Sequence, residues 1–272
     1  MDRVLFGRTV AAQRTKLIVV AVALAIWGVL MPLVYAELIS TAVGAQIQAF
    51  IDSGAIPEQL TQFGGGNIFT LPGSIALGII HPIAVALSCV FAVGFAASAV
   101  AGERQRGTLE VLLARPISRR ATYGTLFLAT VAFIAIGTAA ALIGTVVSSG
   151  AFHVLDELDV GAMPLLWLNA TLLYLALASV ALAASVSFDR LAPALGVALG
   201  FAVVSYFLEV LGSLWDRAQP LQPLSVFHYL DPQAILTGRP DPTDLVVLGI
   251  VVVSGIAWSL TVFPRRDLAA PI

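Results

Sequence analysis

The side chains that could carry catalysis are few and scattered in this sequence of 272 residues. Its one lysine, Lys16, follows Thr15, whereas a nucleotide-binding P-loop needs Gly-Lys-Ser/Thr so that the ammonium reaches the terminal phosphates. The three histidines, His81, His153 and His228, lie far apart in the sequence, which argues against a haem or zinc site. We therefore predict no catalytic residue, no metal site and no cofactor bound by this chain.

One stretch between two apolar segments does carry a defined pattern, GERQRGTLEVLLARPISRR at residues 102–120. Gly107 would end the preceding helix, Thr108 would cap a short new helix, and Pro116 would stop it. The apolar positions fall at i, i+3 and i+4 and form one stripe, made of Leu109, Leu112 and Leu113. Ser118 would then cap the next long helix. Such a stripe suits docking into a groove of another protein, or lying on a bilayer surface.

The elements that position this stretch must be membrane helices, because the composition leaves little else. Hydrophobic residues make up 59% of the chain and charged residues 11%, with a mean hydropathy of +0.96. A soluble domain carries about 25% charged residues, and a disordered chain needs low hydrophobicity. The single Cys89 excludes a disulfide scaffold, and a net charge of −2 with a pI near 5.9 argues against a nucleic-acid binder.

Six apolar stretches are long enough to cross a bilayer core of about 30 Å, for which about 20 helical residues suffice. They must be helices, since the backbone in lipid has to satisfy its own hydrogen bonds. The predicted spans are roughly residues 17–36, 75–101, 121–148, 163–187, 191–214 and 245–263. We therefore predict one all-α transmembrane domain over residues 1–272, with external loops at 37–74 and 215–244.

The basic residues predict the orientation of these spans. Twelve of the fourteen fall at the side that also holds both termini, and only Arg217 and Arg239 fall opposite. Both termini are therefore predicted to be cytoplasmic. Residues 1–16 are predicted to form an interfacial segment, either a short helix or a disordered basic tail. The start also resembles a cleavable signal peptide, but its apolar run is long for that purpose, so we expect a retained first helix.

The middle of the membrane is predicted to hold no charged side chain. Ion-coupled carriers generally keep such groups there, and the nearest candidate, Glu209, falls near the outer end of the fifth span. The energy source is therefore expected to lie outside this chain.

The run GERQRGTLEVLLARPISRRATYG at residues 102–124 resembles the first cytoplasmic loop of type-2 ABC exporter permeases. Six spans and long first and last external loops also fit that family. The segments IPEQLTQFGGGN and PLSVFHYLDPQAILTG resemble, more weakly, stretches of its drug-related and copper-related branch. The resemblance assigns the following residues to ATPase coupling: Glu103, Arg106, Gly107, Thr108, Leu109, Leu112, Leu113, Pro116, Ser118 and Arg119.

The resemblance implies a non-catalytic permease subunit whose short coupling helix, between the second and third spans, transmits motion from a separate ABC-type ATPase. That ATPase would carry the ATP and Mg²⁺. It further implies a homo- or heterodimer of six-helix subunits in the plasma membrane of a prokaryote, with the second and fifth spans lining the path. Small residues that would allow close helix approach there are Gly94, Ser98, Gly196 and Gly200.

Apolar walls without central charges suit a hydrophobic or amphipathic substrate that is moved outward. Two other functions stay open at this point. The chain could transmit force to an external accessory protein without moving a solute, or it could be a self-contained carrier or channel.

Overall fold

The computed structural model describes residues 2–53, 67–109 and 117–266, and these form helices joined by turns, with no strand among them. In chain order the α-helices are α1 (Arg3–Val34), α2 (Ala42–Asp52), α3 (Leu71–Ile80), α4 (Pro82–Ser98), α5 (Ala101–Gln105), α6 (Arg119–Ala151), α7 (Met163–Ser187), α8 (Leu191–Leu214), α9 (Pro232–Leu236) and α10 (Pro242–Arg265). A π-helical turn, Tyr35–Ile39, extends α1, and a second π-helical stretch, Val90–Phe95, lies within α4. Short 3-10 helices cover Leu155–Glu157, Val160–Ala162, Asp216–Leu224 and Val226–Tyr229.

Five helices of the described residues are long and apolar enough to cross a membrane: α1, α6, α7, α8 and α10. The pair α3 and α4 makes a sixth candidate if it counts as one span bent by 47°. The prediction of an all-α integral membrane protein is therefore confirmed. The side on which the termini lie and the coupling helix itself stay predictions.

The bend in the second span is a feature that hydropathy did not predict. The predicted span 75–101 is interrupted at His81, whose ψ of 140° is extended, and Pro82 begins α4. Proline forces this, since it disfavours a helical residue before it and lacks the N–H that would continue the ladder. The indole Nε1 of Trp27 then donates to the carbonyl of Gly78 at 2.8 Å, which ties the bend to α1.

The first helix also differs from its prediction, because α1 runs without interruption through the segment predicted as interfacial. Residues 13–16 contain neither Gly nor Pro, so nothing ends the helix there. Asp2 caps it by accepting the N–H of Leu5 at 2.6 Å. At 1.5 Å per residue its 32 residues measure about 48 Å, which exceeds the bilayer core of about 30 Å.

Helix α7 lies at the centre of the bundle. Of its most apolar stretch 72% is buried, against 22% in α1, α8 and α10. The outer helices consequently expose large apolar side chains, such as Val19, Val203 and Val253, each more than 60% exposed. These surfaces suit lipid or another membrane subunit.

Glycines allow the closest helix contacts. A Cβ added to Gly28 of α1 would lie 2.0 Å from the carbonyl oxygen of Ala141 in α6, and one on Gly144 of α6 would lie 2.2 Å from that of Ala25. Thr145 Oγ1 uses the close approach to donate to the carbonyl of Gly28 at 3.2 Å. The pair α1–α6 is therefore held by backbone proximity as well as by side-chain packing.

The two ends of the bundle differ in charge, and we name them accordingly. The Arg-rich end contains the starts of α1 and α6, the helix α5, the connection between α7 and α8, and the end of α10. The acidic end contains the end of α1, the helices α2 and α9, and the 3-10 helices. Among its charged residues are Asp156, Glu157, Asp159, Asp231 and Asp244.

Candidate functional site

The segment that sequence analysis singled out begins with a tight turn, residues 103–108, which we call the Glu103 turn. Helix α5 ends at Gln105, and Gly107 has a φ of +70°, a left-handed conformation that favours glycine. The carboxylate of Glu103 accepts hydrogen bonds from the guanidinium of Arg106 and, at 2.6 Å, from Thr108 Oγ1. The N–H of Thr108 also donates to the carbonyl of Glu103 at 3.0 Å.

This geometry gives a physical reason for the acid–Gly–Thr part of the motif. The acid supplies the acceptor, the glycine allows the reversal, and the threonine closes it. Glu103, Arg106, Gly107 and Thr108 are thus brought together, as a folded turn rather than as separate surface groups. Their role in ATPase coupling stays a prediction.

Leu109 lies elsewhere than the predicted docking stripe requires. Its side chain is 2% exposed and belongs to the same buried cluster as Tyr123 and Phe263. In this structure it therefore packs against its own subunit, whereas the docking stripe requires an exposed side chain, and the role of Leu109 in ATPase coupling stays a prediction. Leu112, Leu113 and Pro116 lie outside the described residues, so the rest of the stripe stays a prediction.

The start of α6 serves both its own helix and the end of α10. Ser118 Oγ accepts the N–H of Ala121 at 3.2 Å, the capping role that the sequence predicts. Arg119 Nη1 reaches three carbonyl oxygens at the end of α10: those of Phe263 at 3.4 Å, Pro264 at 3.3 Å and Arg266 at 2.7 Å. The last carbonyls of a helix have no intrahelical partner and carry partial negative charge, so a guanidinium stabilises them.

An acidic residue that sequence analysis missed lies beside the Glu103 turn. Asp189, in the short connection between α7 and α8, accepts hydrogen bonds on the same oxygen from Arg104 at 2.6 Å and Arg266 at 2.5 Å. Arg266 also donates to the carbonyl of Val186 at 3.0 Å. No local signal singles it out, because carboxylates such as Asp2 and Glu103 also occur in the other segments predicted to be cytoplasmic.

The small residues predicted to line the path lie on open helix surfaces. A Cβ added to Gly196 or Gly200 of α8 would meet nothing within 4 Å, and one on Gly94 of α4 would find its nearest atom at 3.9 Å. Ser98 Oγ donates within its own helix, to the carbonyl of Phe95 at 2.9 Å. The three glycines meet no atom of another described helix at close range, Ser98 is half-buried, and the contact of all four with a second copy stays a prediction.

An apolar cavity of about 40 Å³ lies within the bundle, between α1, α3, α4, α6 and α7. Trp27, Gly78 and Thr138 are among its lining residues. Pockets for drug-sized ligands measure about 300–1,000 Å³, so this cavity is too small for such a solute. The described residues also contain no group of three or more side chains suited to a metal ion.

Among the described residues of the acidic end, Glu209 of α8 and His228 form an ionisable pair. The His228 Nδ1 and a Glu209 carboxylate oxygen lie 3.7 Å apart, and Gln222 Nε2 donates to the other carboxylate oxygen at 3.1 Å. Burial lowers the pKa of His228, while the charge of Asp231 acts in the opposite direction. This pair lies far from the Glu103 turn, at the other end of the bundle.

The described residues thus form a multi-helix membrane domain with an ordered polar turn at its Arg-rich end. Residues 9–268 match the family model described as ABC-2 family transporter protein, and the chain belongs to that family. Membership makes it a multi-pass ABC permease subunit, of a family that works with a partner ABC ATPase and with dimeric membrane subunits. Among curated proteins, none matches the chain.

Proposed function

We propose that the chain is the membrane-spanning, non-catalytic subunit of an ATP-driven exporter in a prokaryotic plasma membrane. A separate ATPase would bind ATP and Mg²⁺ at the Arg-rich end, which we assign to the cytoplasm. Two permease copies, identical or different, would together move a hydrophobic or amphipathic substrate outward.

The observation that carries this proposal is the way the Glu103 turn is anchored. Arg104, within the turn, binds Asp189, and Asp189 also binds Arg266 at the end of α10. A segment that only lay on the bilayer surface would need no such links. A segment that receives force from a partner does need them, because a load on a free loop would be lost in loop movement.

The open glycine surface of α8 supports a path between two copies. Around Gly196 and Gly200 the apolar side chains of Val197, Val203 and Phe207 are all exposed, by 46%, 63% and 58%. Small residues let helices approach closely in lipid, and the cavity of about 40 Å³ between α1, α3, α4, α6 and α7 is too small for a solute. We therefore assign the substrate path to the space between α8, α4 and their counterparts in the second copy.

The test of ATPase coupling uses Leu113→Glu, since Leu109 is buried and its replacement would disturb the fold. The matched control is Val4→Glu, which places the same charge on a 63% exposed apolar residue of the same end. The variants are co-expressed with the ABC ATPase and purified. We expect Leu113→Glu to abolish copurification and Val4→Glu to preserve it. Normal copurification and ATP turnover with Leu113→Glu would refute the docking proposal.

A second candidate function is force transmission to an external accessory protein without solute movement. The observation that favours it is α2 at the acidic end, where Val43, Ile47 and Phe50 are 47%, 42% and 60% exposed. Vesicles containing the permease–ATPase complex distinguish the two functions. ATP-dependent movement of an amphipathic dye into inverted vesicles supports export, whereas ATP turnover without dye movement, together with capture of an external protein, supports force transmission.

A further inference from the structure

The second span has a break just before the Glu103 turn, and a serine from another helix fills it. Helix α4 ends at Ser98 and α5 begins at Ala101, so the ladder of backbone hydrogen bonds is interrupted. Ser185 Oγ, near the end of α7, accepts the N–H groups of Val100 and Ala101, each at 3.0 Å. The same hydroxyl donates to the carbonyl of Ala97 at 2.7 Å.

The Ser185 hydroxyl therefore replaces backbone hydrogen bonds that are missing between the end of α4 and the start of α5. A side chain inserted in this way bends a helix at a defined point. The Ser185 side chain is fully buried, so water cannot reach this position to replace the three hydrogen bonds. The break between α4 and α5 is thus held by a group on α7.

Helix α5 is in turn attached to the connection between α7 and α8. Gln105 Oε1 accepts the N–H of Leu191 at 2.9 Å, a group at the start of α8 that has no partner within the helix. One residue earlier, Arg104 binds Asp189 at 2.6 Å. Only residues 188–190 connect the two long helices, so this connection is too short to absorb a displacement of α5.

The third link runs from the same connection to α10. Arg266 donates to Asp189 and, through its other terminal nitrogen, to the carbonyl of Val186. Two guanidinium groups from distant parts of the chain thus share one carboxylate oxygen. Charge-assisted bonds of this kind are stronger than neutral ones, although Asp189 is half exposed and the pairs are partly screened by water.

We propose that Asp189 is a positioning residue that passes the movement of the Glu103 turn to α8 and α10, with Ser185 as the hinge about which α5 moves. This rests on the proposed function, in which an ATPase moves the segment after Gly107. Helix α5 has five residues and is about 7 Å long, so it moves as one body. Its side chains hold both Asp189 and the first turn of α8, so a displacement of α5 moves the end of the path helix.

The experiment measures movement of α8 in the complete permease–ATPase complex. Spin labels are placed on Ile18→Cys in α1 and Leu199→Cys in α8, both exposed, in a Cys89→Ala background. Labelled chains are diluted with unlabelled ones so that only distances within one copy contribute. The distance is recorded with and without a non-hydrolysable ATP analogue, in the parent protein and in Asp189→Asn, Asp189→Glu and Ser185→Ala.

We expect the parent distance to change on adding the analogue and the change to be lost in Asp189→Asn, with substrate moved per ATP falling about tenfold, a typical size for coupling between sites. Asp189→Glu should restore part of both. The controls are Asp156→Asn at the acidic end and Ser187→Ala, whose hydroxyl accepts Trp258 Nε1 and makes no bond to α5. ATPase copurification should stay near the parent value in all variants, and thermal stability in all except Ser185→Ala, which loses three buried hydrogen bonds.

Three results would overturn the proposal. If Asp189→Asn keeps the full distance change, Asp189 transmits nothing. If Asp189→Asn instead loses ATPase binding, Asp189 acts in assembly of the complex. Arg266→Gln, which removes one of the two ion pairs of Asp189, should then also lose ATPase binding. If the parent itself shows no ATPase binding and no distance change, the proposed function fails first, which distinguishes the two failures.

Discussion

The two ends of the bundle are built from different kinds of contact. At the Arg-rich end, charged side chains join elements that are far apart in the chain, and Arg119 and Arg266 are 147 residues apart. At the acidic end most side-chain bonds are local, such as Asp241 to the N–H of Thr243 at 2.8 Å and Tyr229 to the carbonyl of Pro223 at 2.9 Å. The Arg-rich end is therefore held together by contacts between distant elements, whereas the acidic end consists mainly of turns that are stabilised locally.

Exceptions at the acidic end fit this distinction. Tyr35 donates to the carboxylate of Glu157 at 2.5 Å, which links α1 to the turn after α6, and Asn169 donates to the carbonyl of Tyr229 at 2.9 Å. Each is a single bond between two elements, and Gln222 Nε2, which reaches Glu209 and Ser213, bonds only to α8. At the Arg-rich end, by contrast, Asp189 and Arg266 each bind two other groups, so a movement there reaches α5, α8 and α10 together.

The largest expected effect compares two fully buried serines, one at each end. Ser185→Ala removes three hydrogen bonds and leaves two backbone N–H groups unpaired, for which we expect a loss of about 3 kcal/mol in unfolding free energy. Ser225→Ala removes its bond to the carbonyl of Ser205 and its acceptor for the N–H of Phe227, for which we expect about 1 kcal/mol. Unfolding in detergent measures both. Equal losses would contradict the comparison.

The next effect tests the link between α6 and α10. Arg119→Gln shortens the group that holds three carbonyls, and we expect a loss of about 1 kcal/mol, reduced by partial exposure. The neighbouring Arg120→Gln is the matched control, because that side chain is exposed and should change stability little. Hydrogen exchange at the last turn of α10 should rise in Arg119→Gln alone. The idea fails if both variants behave alike.

A smaller effect tests the Glu103 turn. Gly107 has a φ of +70° and free space around its Cα, so Gly107→Ala adds backbone strain without a clash, of about 1 kcal/mol. Gly7→Ala is the control, since that glycine of α1 is helical, exposed and also has free space. Because alanine favours a helix, we expect Gly7→Ala to be neutral or stabilising in the same unfolding assay. A neutral Gly107→Ala would show that the turn relaxes at little cost.

The smallest effect is a pH dependence at the acidic end. Burial lowers the pKa of His228 below its usual value near 6.5, so the unfolded chain takes up the proton more readily. Stability should therefore fall as the pH decreases from about 7 to 5, by less than about 0.5 kcal/mol, because the side chain is partly exposed. Glu209 and Asp231 face the same group, so the measured quantity is the difference between the parent and His228→Gln. A larger pH dependence in His228→Gln would reverse the assignment.

Hydropathy predicted the membrane-spanning helices of this fold better than it predicted the breaks and connections between them. The long apolar runs around α7 and α8 and the cap at Ser118 follow from local sequence. The bend before Pro82 also had a local signal, the His81–Pro82 pair. That pair lies within an apolar stretch that was interpreted as one continuous span.

The network around Asp189 could not be read in this way. Ser185 resembles any other hydroxyl on an apolar helix until its partners, 84 to 88 residues away, are known. The same holds for Arg119, whose position in the first turn of a helix looks unfavourable until the end of α10 is placed beside it. Leu109 fits the spacing of an exposed stripe, and only its neighbours in space show that it is buried.

The close contact between α1 and α6 has a consequence for how the protein enters the membrane. Helix α1 is synthesised first, yet the helix that covers Gly28 begins at Arg119, after the second span has been made. Until then α1 must remain stable alone in lipid, and it contains the most apolar window of the five single-helix spans. Helix α7, the least apolar of the five single-helix spans, is synthesised after α1, α4 and α6, which can then pack around it. From α1 through α6 to α7, the hydropathy thus falls in the order in which these helices are synthesised and find neighbours to pack against.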